Sequence, residues 1–258
     1  MPIHQSQGIT YITSELLQSY GVKHGFFMRH GGTSPLPWKS LNMATSVGDS
    51  RKNVVENRNR IANVLHIGHT SFYDLWQVHS NHVVITDHPR LYNEAHIQAD
   101  AIVTDKKGIA LLMLFADCVP ILFYDPRQEI IAIAHAGWKG TLNNIIAETI
   151  MVMTKNFKSS PEYLIAVIGP SICRDHYQVG NDVVKKAKSV FKTKDNVISY
   201  HNEKAFMDLP VANKLILENC GLKTIEILNI CTACNLEDWF SHRGESGKTG
   251  RFATVITM

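Results

Sequence analysis

Apolar residues in this chain fall into short runs that are separated by turn-forming segments. The runs at 83–86, 101–104, 109–115, 121–124 and 130–134 predict buried strands, and Asp125-Pro126-Arg127 predicts a hairpin between the last two. Further runs at 164–168, 224–229 and 252–256 predict three more strands. Short strands therefore make up most of the predicted core.

Helical spacing of apolar residues occurs in four other places. Stripes run through 54–65, which Gly68 is predicted to close, through 142–153 and through 183–190, and a fourth helix is predicted to open at Pro210 and end at Gly221. The rest of the first 60 residues carries mainly loop-forming residues. This mixed order predicts an α+β (mixed α/β) fold of layered mixed sheets flanked by helices, in one domain over residues 1–258.

The charge balance argues against some functions. The 258 residues include 26 Lys and Arg against 23 Asp and Glu, a net charge of +3, and the dispersed basic residues argue against nucleic-acid binding. No apolar run approaches the roughly 20 residues that span a bilayer, and the N-terminus lacks the features of a signal peptide. Five cysteines, an odd number, argue against a disulfide framework. We expect a cytoplasmic monomer with no membrane partner.

Three residues carry the strongest chemical signal: His79, Cys118 and His135. Cys118 and His135 each follow an apolar run, so both are predicted at the ends of core strands. Gly137 and Gly140 follow His135 on the way to a predicted helix, whose N-terminus could receive a phosphate. A thiolate and two imidazoles brought together would form a three-ligand zinc site with an open position, or a catalytic Cys/His pair.

Two short motifs near the C-terminus are less informative. Cys231-Thr232-Ala233-Cys234 has Cys-x-x-Cys spacing, but a structural zinc needs a second ligand pair and only His242 follows within reach. We interpret these cysteines as unlinked thiols near the wall of a site. Gly247-Lys248-Thr249 resembles the end of a P-loop, but His242 occupies the position of the required earlier glycine. Arg243, Lys248 and Arg251 are still candidate anion ligands.

Motifs spread over almost the whole chain match a known family. They are His24-Gly25-Phe26-Phe27-Met28-Arg29-His30-Gly31-Gly32, Ser40-Leu41-Asn42, Glu56-Asn57-Arg58, Gln77-Val78-His79, Ala99-Asp100-Ala101, Ala116-Asp117-Cys118-Val119-Pro120, His135-Ala136-Gly137-Trp138, Ile168-Gly169-Pro170-Ser171-Ile172, Cys231-Thr232 and Thr249-Gly250-Arg251. In order and spacing they resemble the YfiH-type laccase-domain family, whose members are named polyphenol oxidases or purine nucleoside phosphorylases. One departure is His176-Tyr177-Gln178-Val179-Gly180, where many relatives have Cys-Tyr-Glu-Val-Gly, and we assign this stretch no role beyond shape.

The resemblance implies a metal-dependent enzyme. Zinc, or copper, would be held by His79, Cys118 and His135. The implied reactions are phosphorolysis of adenosine, inosine, guanosine and 5′-methylthioadenosine, together with adenosine deamination. The expected partners are therefore a purine nucleoside and phosphate. For deamination, Asp117 is the predicted proton shuttle.

Phosphorolysis requires an anion site beside the ribose. Arg29, His30 and Arg243, with the backbone of Gly31-Gly32, are the predicted phosphate contacts. Asn42 is predicted to orient the nucleoside. The sequence thus offers parts for both an anion pocket and a metal site.

Three alternatives stay open. A copper-dependent polyphenol oxidase is the first, although the 13 histidines include no His-x-His pair of the kind that multicopper oxidases use. The second is a hydrolase with Cys118 as its nucleophile, which would edit peptidoglycan precursors. The third is a binding module without catalysis, which would bind a purine nucleoside without turnover.

Overall fold

A computed structural model of the chain describes residues 1–91 and 93–258. The strands in these residues are β1 (Ile3–Ser6), β2 (Ile9–Ile12), β3 (Lys23–Phe27), β4 (Phe72–Tyr73), β5 (Val83–Ile85), β6 (Ala101–Thr104), β7 (Ala110–Phe115), β8 (Val119–Asp125), β9 (Ile130–Ala136), β10 (Ile165–Ile168), β11 (Gln178–Val179), β12 (Ile198–His201), β13 (Lys204–Met207), β14 (Thr224–Ile227) and β15 (Phe252–Thr257). The helices are α1 (Glu15–Ser19), α2 (Arg51–Leu65), α3 (Trp138–Leu142), α4 (Ile145–Phe157), α5 (Asn181–Val190) and α6 (Leu209–Asn219). Short 3₁₀ turns occur at Pro161–Tyr163, Arg174–His176 and Thr193–Asp195.

Two six-stranded sheets form the body of the fold. The first has the order β1-β2-β3-β15-β7-β4, and the second has the order β14-β10-β8-β9-β6-β5. The predicted hairpin is present as the antiparallel pair β8–β9. The pairs β4–β7, β5–β6 and β10–β14 are parallel, so both large sheets are mixed. A third sheet has the order β11-β13-β12.

Alternate residues of β7 show how the layers are arranged. Leu111 packs with Leu122 and Ile133 of the second sheet, whereas Leu112 packs with Ile61 of α2. The two sheets therefore pack face to face, and α2 covers the outer face of the first. Helices α3, α4 and α6 cover the outer face of the second sheet, and α5 packs against α3 and the third sheet. Because both faces of β8 and β9 are buried, their sequences are almost entirely apolar. The predicted layered fold is confirmed.

The structure departs from the sequence-based expectation in three places. Strands β1–β3 and helix α1 occupy part of the segment expected to be mainly loop. The stripe over 142–153 is divided between α3 and α4, because Asn144 takes a left-handed backbone with φ 65°. Helix α2 is capped by His66 with φ 53°, before the expected Gly68. None of the helices in the described part of the chain has the length and apolar character needed to cross a bilayer.

Candidate metal centre and active site

Three donor atoms converge where the two large sheets meet. The ligand atoms of His79, Cys118 and His135 lie within 4.8 Å of one another. Cys118 Sγ is 3.8 Å from His79 Nε2, and the two imidazole rings meet edge to face with centroids 4.9 Å apart. A sulfur and two imidazole nitrogens at these separations can hold one metal ion and leave a fourth position open. The structure thus brings together the three residues that the sequence singled out.

Each ligand comes from a different segment of the chain. Cys118 lies in the short crossing that leads from β7 in the first sheet to β8 in the second. His135 lies in β9, opposite Pro120 of β8. His79 lies between β4 and β5 with φ 60°, and Asp117 beside Cys118 has φ 92°. Non-glycine residues keep such backbone angles only where the surrounding structure holds them, as it often does at functional sites.

A buried carboxylate, Asp100, holds two of the three ligand segments. Its Oδ1 lies 2.8 Å from His135 Nδ1 and accepts from the backbone N–H of His79 at 3.0 Å. Its Oδ2 accepts from the backbone N–H and the hydroxyl of Ser80 at 2.5 and 2.7 Å. With Nδ1 directed at the carboxylate, His135 presents Nε2 to the ligand cluster. Such a carboxylate–histidine pair fixes ring orientation and raises the basicity of a metal ligand.

The cluster favours a thiolate at Cys118. Burial alone opposes ionisation of this thiol, but His135 and His79 lower the pKa of Cys118 to about 6. Burial likewise opposes protonation of His135, whereas Cys118 and Asp100 raise the pKa of His135 to about 9. Near neutral pH both shifts favour a thiolate on Cys118 and an imidazolium on His135. The thiolate is also the form of cysteine that binds metals and acts as a nucleophile.

Gly137 allows the ligands to approach the backbone. A Cβ placed on this residue would lie 2.7 Å from Cys118 Sγ and 3.0 Å from His79 Cδ2. The first distance is shorter than Cβ contacts in proteins and the second is very tight, so any larger residue would shift the Cys118 sulfur. Gly137 is also the N-cap of α3, the short helix after β9.

The ligand cluster opens into a cavity of about 600 Å³. Aromatic side chains on its lining are Trp76, Trp138 and Tyr177, and cationic ones are Arg58, Lys139, Arg243 and Arg251. Trp76 is 53% exposed, so part of its surface is accessible from the cavity. The cavity thus offers a metal site, flat apolar surface and several positive charges together.

Positive charge exceeds negative charge on this lining. The buried Asp74 carboxylate accepts from Arg58 Nη1 at 2.7 Å and from Arg90 Nε at 2.6 Å. Although burial opposes its ionisation, Arg58, His96 and Arg90 hold the pKa of Asp74 well below its usual range. One carboxylate therefore faces two guanidinium groups, which leaves a net positive charge near Arg58.

Asp117, the predicted proton shuttle, lines the cavity beside Cys118. Its Oδ1 accepts from the hydroxyls of Thr232 and Ser241 at 2.7 and 2.6 Å, and its Oδ2 accepts from the backbone N–H of Arg243 at 2.6 Å. Three donors directed at one carboxyl group hold it in a single orientation beside Cys118. The proton-shuttle role of Asp117 stays a prediction.

Three of the residues predicted to bind phosphate or nucleoside lie outside the cavity lining. Arg29 donates to the carbonyl of Leu236 at 2.6 Å and pairs with Glu245 at 3.1 Å. His30 pairs with Asp238. Asn42 is fully buried and binds backbone groups, including the N–H of Arg251. The structure thus gives Arg29, His30 and Asn42 partners within the fold, whereas Arg243 does line the cavity.

Sequence reasoning missed several residues of the site. Arg58 and Asp100 appeared only within motifs that match the family. Arg58 lies one turn from Val54 on α2, and a polar side chain at such a position signals a buried partner. The sequence also offered no second ligand pair for Cys231 and Cys234, but the structure brings Cys173 and His176 to them.

The fold and the site define the class of protein. Residues 23–258 match the family described as "Multi-copper polyphenol oxidoreductase laccase". The chain therefore belongs to this laccase-domain family, and the resemblance drawn from its motifs is confirmed. Members of this family that are similar to the chain bear the names of enzymes.

Individual relatives extend over nearly the whole chain. The chain is 35% identical to "Purine nucleoside phosphorylase YlmD" of Bacillus subtilis over 243 residues, which cover 91% of this chain and 87% of that protein. It is 35% identical over 237 residues to "Purine nucleoside phosphorylase" of Deinococcus radiodurans, and the match covers 92% of this chain and 89% of that protein. The crystal structure of YlmD from Geobacillus stearothermophilus superimposes with a TM-score of 0.92 at 29% identity, covering 98% and 97%. The crystal structure of hypothetical protein YfiH of Bacillus licheniformis superimposes with a TM-score of 0.91 at 32% identity. The match covers 100% of this chain and 99% of that chain.

Proposed function

We propose that this chain is a zinc-dependent purine nucleoside phosphorylase that also deaminates adenosine. Its substrates would be adenosine, inosine, guanosine and 5′-methylthioadenosine. The observation that carries the proposal is one cavity that contains both the Cys118 donor cluster and the cations Arg58, Arg243 and Arg251. The names of the relatives point to the same reaction.

The donor set fits zinc. One thiolate and two neutral imidazoles match the ligand types that zinc prefers, and the carboxylate of Asp100 behind His135 is the usual outer partner. When bound, zinc supplies Lewis acidity at its open position and makes water nucleophilic near neutral pH. His79, Cys118 and His135 would hold the ion, and Asp100 would keep His135 in the required orientation.

Phosphorolysis places an anion next to a developing positive charge. A phosphate oxygen bonds to C1′ of the ribose while the bond from C1′ to N9 of the purine breaks, and the base leaves with the electron pair and takes up a proton. Arg243 and Arg251 would hold the phosphate, because both guanidinium groups lie at the cavity and carry permanent charge. Trp76 would stack on the purine.

The decisive experiment measures phosphate-dependent release of hypoxanthine from inosine. We expect Cys118→Ala and His79→Ala to reduce the rate by at least about 10²-fold, because each removes a metal ligand. Cys220→Ala and His201→Ala are matched controls outside the cavity lining and should retain the rate. Full activity of Cys118→Ala would remove the donor cluster from the mechanism.

The phosphate site is tested by separating the two reactions. Deamination of adenosine replaces the amino group at C6 by oxygen from water and needs no phosphate. Arg251→Met and Arg243→Met should therefore raise the KM for phosphate in phosphorolysis and change adenosine deamination much less. Lys107→Met, an exposed substitution, is the control. An unchanged KM for phosphate in both arginine variants would assign the anion to another part of the cavity.

A second candidate function rests on the arrangement of Cys118, His135 and Asp100. A thiol, an imidazole and a carboxylate that contact one another in this order also form the triad of a cysteine hydrolase. The pKa of Cys118 is lowered to about 6, as such a nucleophile requires. Such an enzyme would act on an amide or ester, as in the editing of peptidoglycan precursors. Hydrolysis of an amide or ester by the zinc-depleted protein, abolished by alkylation of Cys118, would favour this function over the phosphorylase.

A further inference from the structure

The geometry points to a second metal site in this chain, a zinc ion bound by Cys173, His176, Cys231 and Cys234. The ligand atoms of these four residues lie within 4.8 Å of one another. None of the four belongs to the His79, Cys118 and His135 cluster, and none lines the cavity. The proposal does not depend on the purine chemistry.

A single atom, Nδ1 of His176, faces all three sulfurs of this cluster. It lies 3.4 Å from Cys173 Sγ, 3.4 Å from Cys234 Sγ and 4.0 Å from Cys231 Sγ. Cys173 Sγ and Cys234 Sγ are 4.0 Å apart. The four donors therefore surround one small space rather than forming separate pairs.

These separations match the edges of a zinc tetrahedron. Bond lengths of about 2.3 Å to sulfur and about 2.0 Å to nitrogen place two sulfurs about 3.8 Å apart and a sulfur and a nitrogen about 3.5 Å apart. The observed sulfur-to-nitrogen separations of 3.4 to 4.0 Å bracket the second value, and the 4.0 Å between Cys173 Sγ and Cys234 Sγ is close to the first. They also differ from a disulfide, whose sulfurs are bonded at about 2.05 Å. Three thiolates with one imidazole form a common structural zinc set.

The sheet explains why these two ligand pairs meet. Strands β10 and β14 are parallel neighbours, so the segments that follow them leave the sheet side by side. Ser171 and Cys231 then form an isolated parallel bridge, which aligns the two segments. Each segment presents two donors separated by two residues, and the backbone N–H of Cys173 donates to Cys231 Sγ at 3.2 Å. This hydrogen bond holds the two segments, and therefore the two ligand pairs, against each other.

The second ion would act as a structural support for the cavity. Thr232, between two of the ligands, donates to Asp117 at 2.7 Å. The carbonyl of His176 accepts from Arg243 Nη1 at 3.3 Å, and the next residue, Tyr177, lines the cavity. All four donors are protein side chains, which leaves no open position for a substrate. The site would therefore position cavity residues without taking part in the reaction.

Metal content of the intact chain tests this inference. Protein purified without added metal and analysed by mass spectrometry should contain about two zinc ions per chain, one for each cluster. The Cys173→Ser/Cys234→Ser variant and the Cys118→Ala/His79→Ala variant should each contain about one. Cys220→Ser, at a cysteine outside both clusters, should retain both ions. About one ion in the wild type, with no loss in Cys173→Ser/Cys234→Ser, would overturn the proposal.

A conservative replacement guards against simple misfolding. His176→Cys keeps four donors and should retain the second ion, whereas His176→Ala should lose it or bind it more weakly. Cobalt(II) added to apoprotein of the Cys118→Ala/His79→Ala background reports only the second site, through sulfur-to-cobalt charge-transfer absorption. That absorption should be present in this background and absent once Cys173→Ser/Cys234→Ser is added. Its absence from the background, or a disulfide among Cys173, Cys231 and Cys234 in freshly purified protein, would contradict a metal site.

Discussion

Asp100 and His135 form a buried pair in which the carboxylate oxygen lies 2.8 Å from Nδ1 of the imidazole. The same carboxylate accepts from the backbone of the loop that carries His79. One side chain therefore sets the orientation of one metal ligand and the position of another. Its substitution should affect metal binding although Asp100 is not itself among the three ligands.

We expect Asp100→Asn to weaken zinc binding by about 10- to 100-fold, because the amide cannot replace a charged acceptor for both the imidazole and the loop. The measurement is competition with a chromophoric chelator. Asp105→Asn changes an exposed carboxylate near the end of the following strand and serves as the control. Equal zinc affinity in the Asp100→Asn variant and the wild type would show that His135 is oriented by other contacts.

Gly137→Ala should reduce zinc binding through crowding alone. The added methyl group would lie 2.7 Å from Cys118 Sγ, so the thiolate must move from its place. We expect affinity for zinc to fall by about 10-fold or more, together with phosphorolysis. Gly68→Ala, where the added carbon meets nothing within 4 Å, is the matched control. A Gly137→Ala variant with wild-type affinity would mean that the ligands tolerate this shift.

The buried salt bridges of Asp74 should make a large contribution to stability. Asp74→Asn leaves Arg58 and Arg90 without their shared carboxylate, at an expected cost of about 3–5 kcal/mol in the free energy of unfolding. The measurement is urea denaturation. Glu56→Gln removes an exposed pair with Arg60, for which the expected cost is only about 0.3–0.5 kcal/mol. Similar losses in the two variants would contradict this account of the buried network.

His24 should make the protein less stable in weak acid. This buried imidazole accepts from the N–H of Ser14 and contacts the carbonyl of Val22, both at 2.8 Å. Burial lowers the pKa of His24 from 6.5 to about 4, so the unfolded chain takes up a proton at a higher pH than the folded one. The contribution of neutral His24 is therefore complete above pH 6.5 and is lost as the pH falls toward 4, by about 3 kcal/mol in total.

The His24→Gln variant isolates this effect. Glutamine can accept and donate in similar positions but does not titrate, so its unfolding free energy should fall less steeply between pH 6.5 and 4. The comparison uses urea unfolding at several pH values. Parallel pH profiles for the variant and the wild type would exclude His24 as the source of acid sensitivity.

The central strands could be predicted from the sequence because both of their faces are buried and their residues are therefore mainly apolar. Strands β8 and β9 are buried on both faces, so their sequences are almost entirely apolar, with Asp125 and His135 only near their ends. Strand β1 is largely exposed and only four residues long, which leaves no clear period. The division between α3 and α4 at Asn144 was equally hidden, because the apolar stripe continues across the break.

The site was predicted where its residues adjoin core strands. Cys118 and His135 stand at such positions, so their sequence context drew attention to them. Cys173 and His176 lie far from Cys231 in the sequence and meet it only because β10 and β14 pair in parallel. Arg29 and His30 were predicted as phosphate contacts because they can bind an anion; in the structure they pair with Glu245 and Asp238, and a role at the phosphate stays a prediction.

The crossing at 116–118 cannot gain or lose a residue without disturbing the site. It leaves one sheet at Phe115 and enters the other at Val119, and both strands are held by neighbours on each side. Adding or removing one residue would either slip a strand and exchange its inward and outward faces, or displace the thiolate of Cys118. The length of this crossing is therefore fixed by two sheets and one sulfur at once, and loop grafting into this protein would have to begin elsewhere.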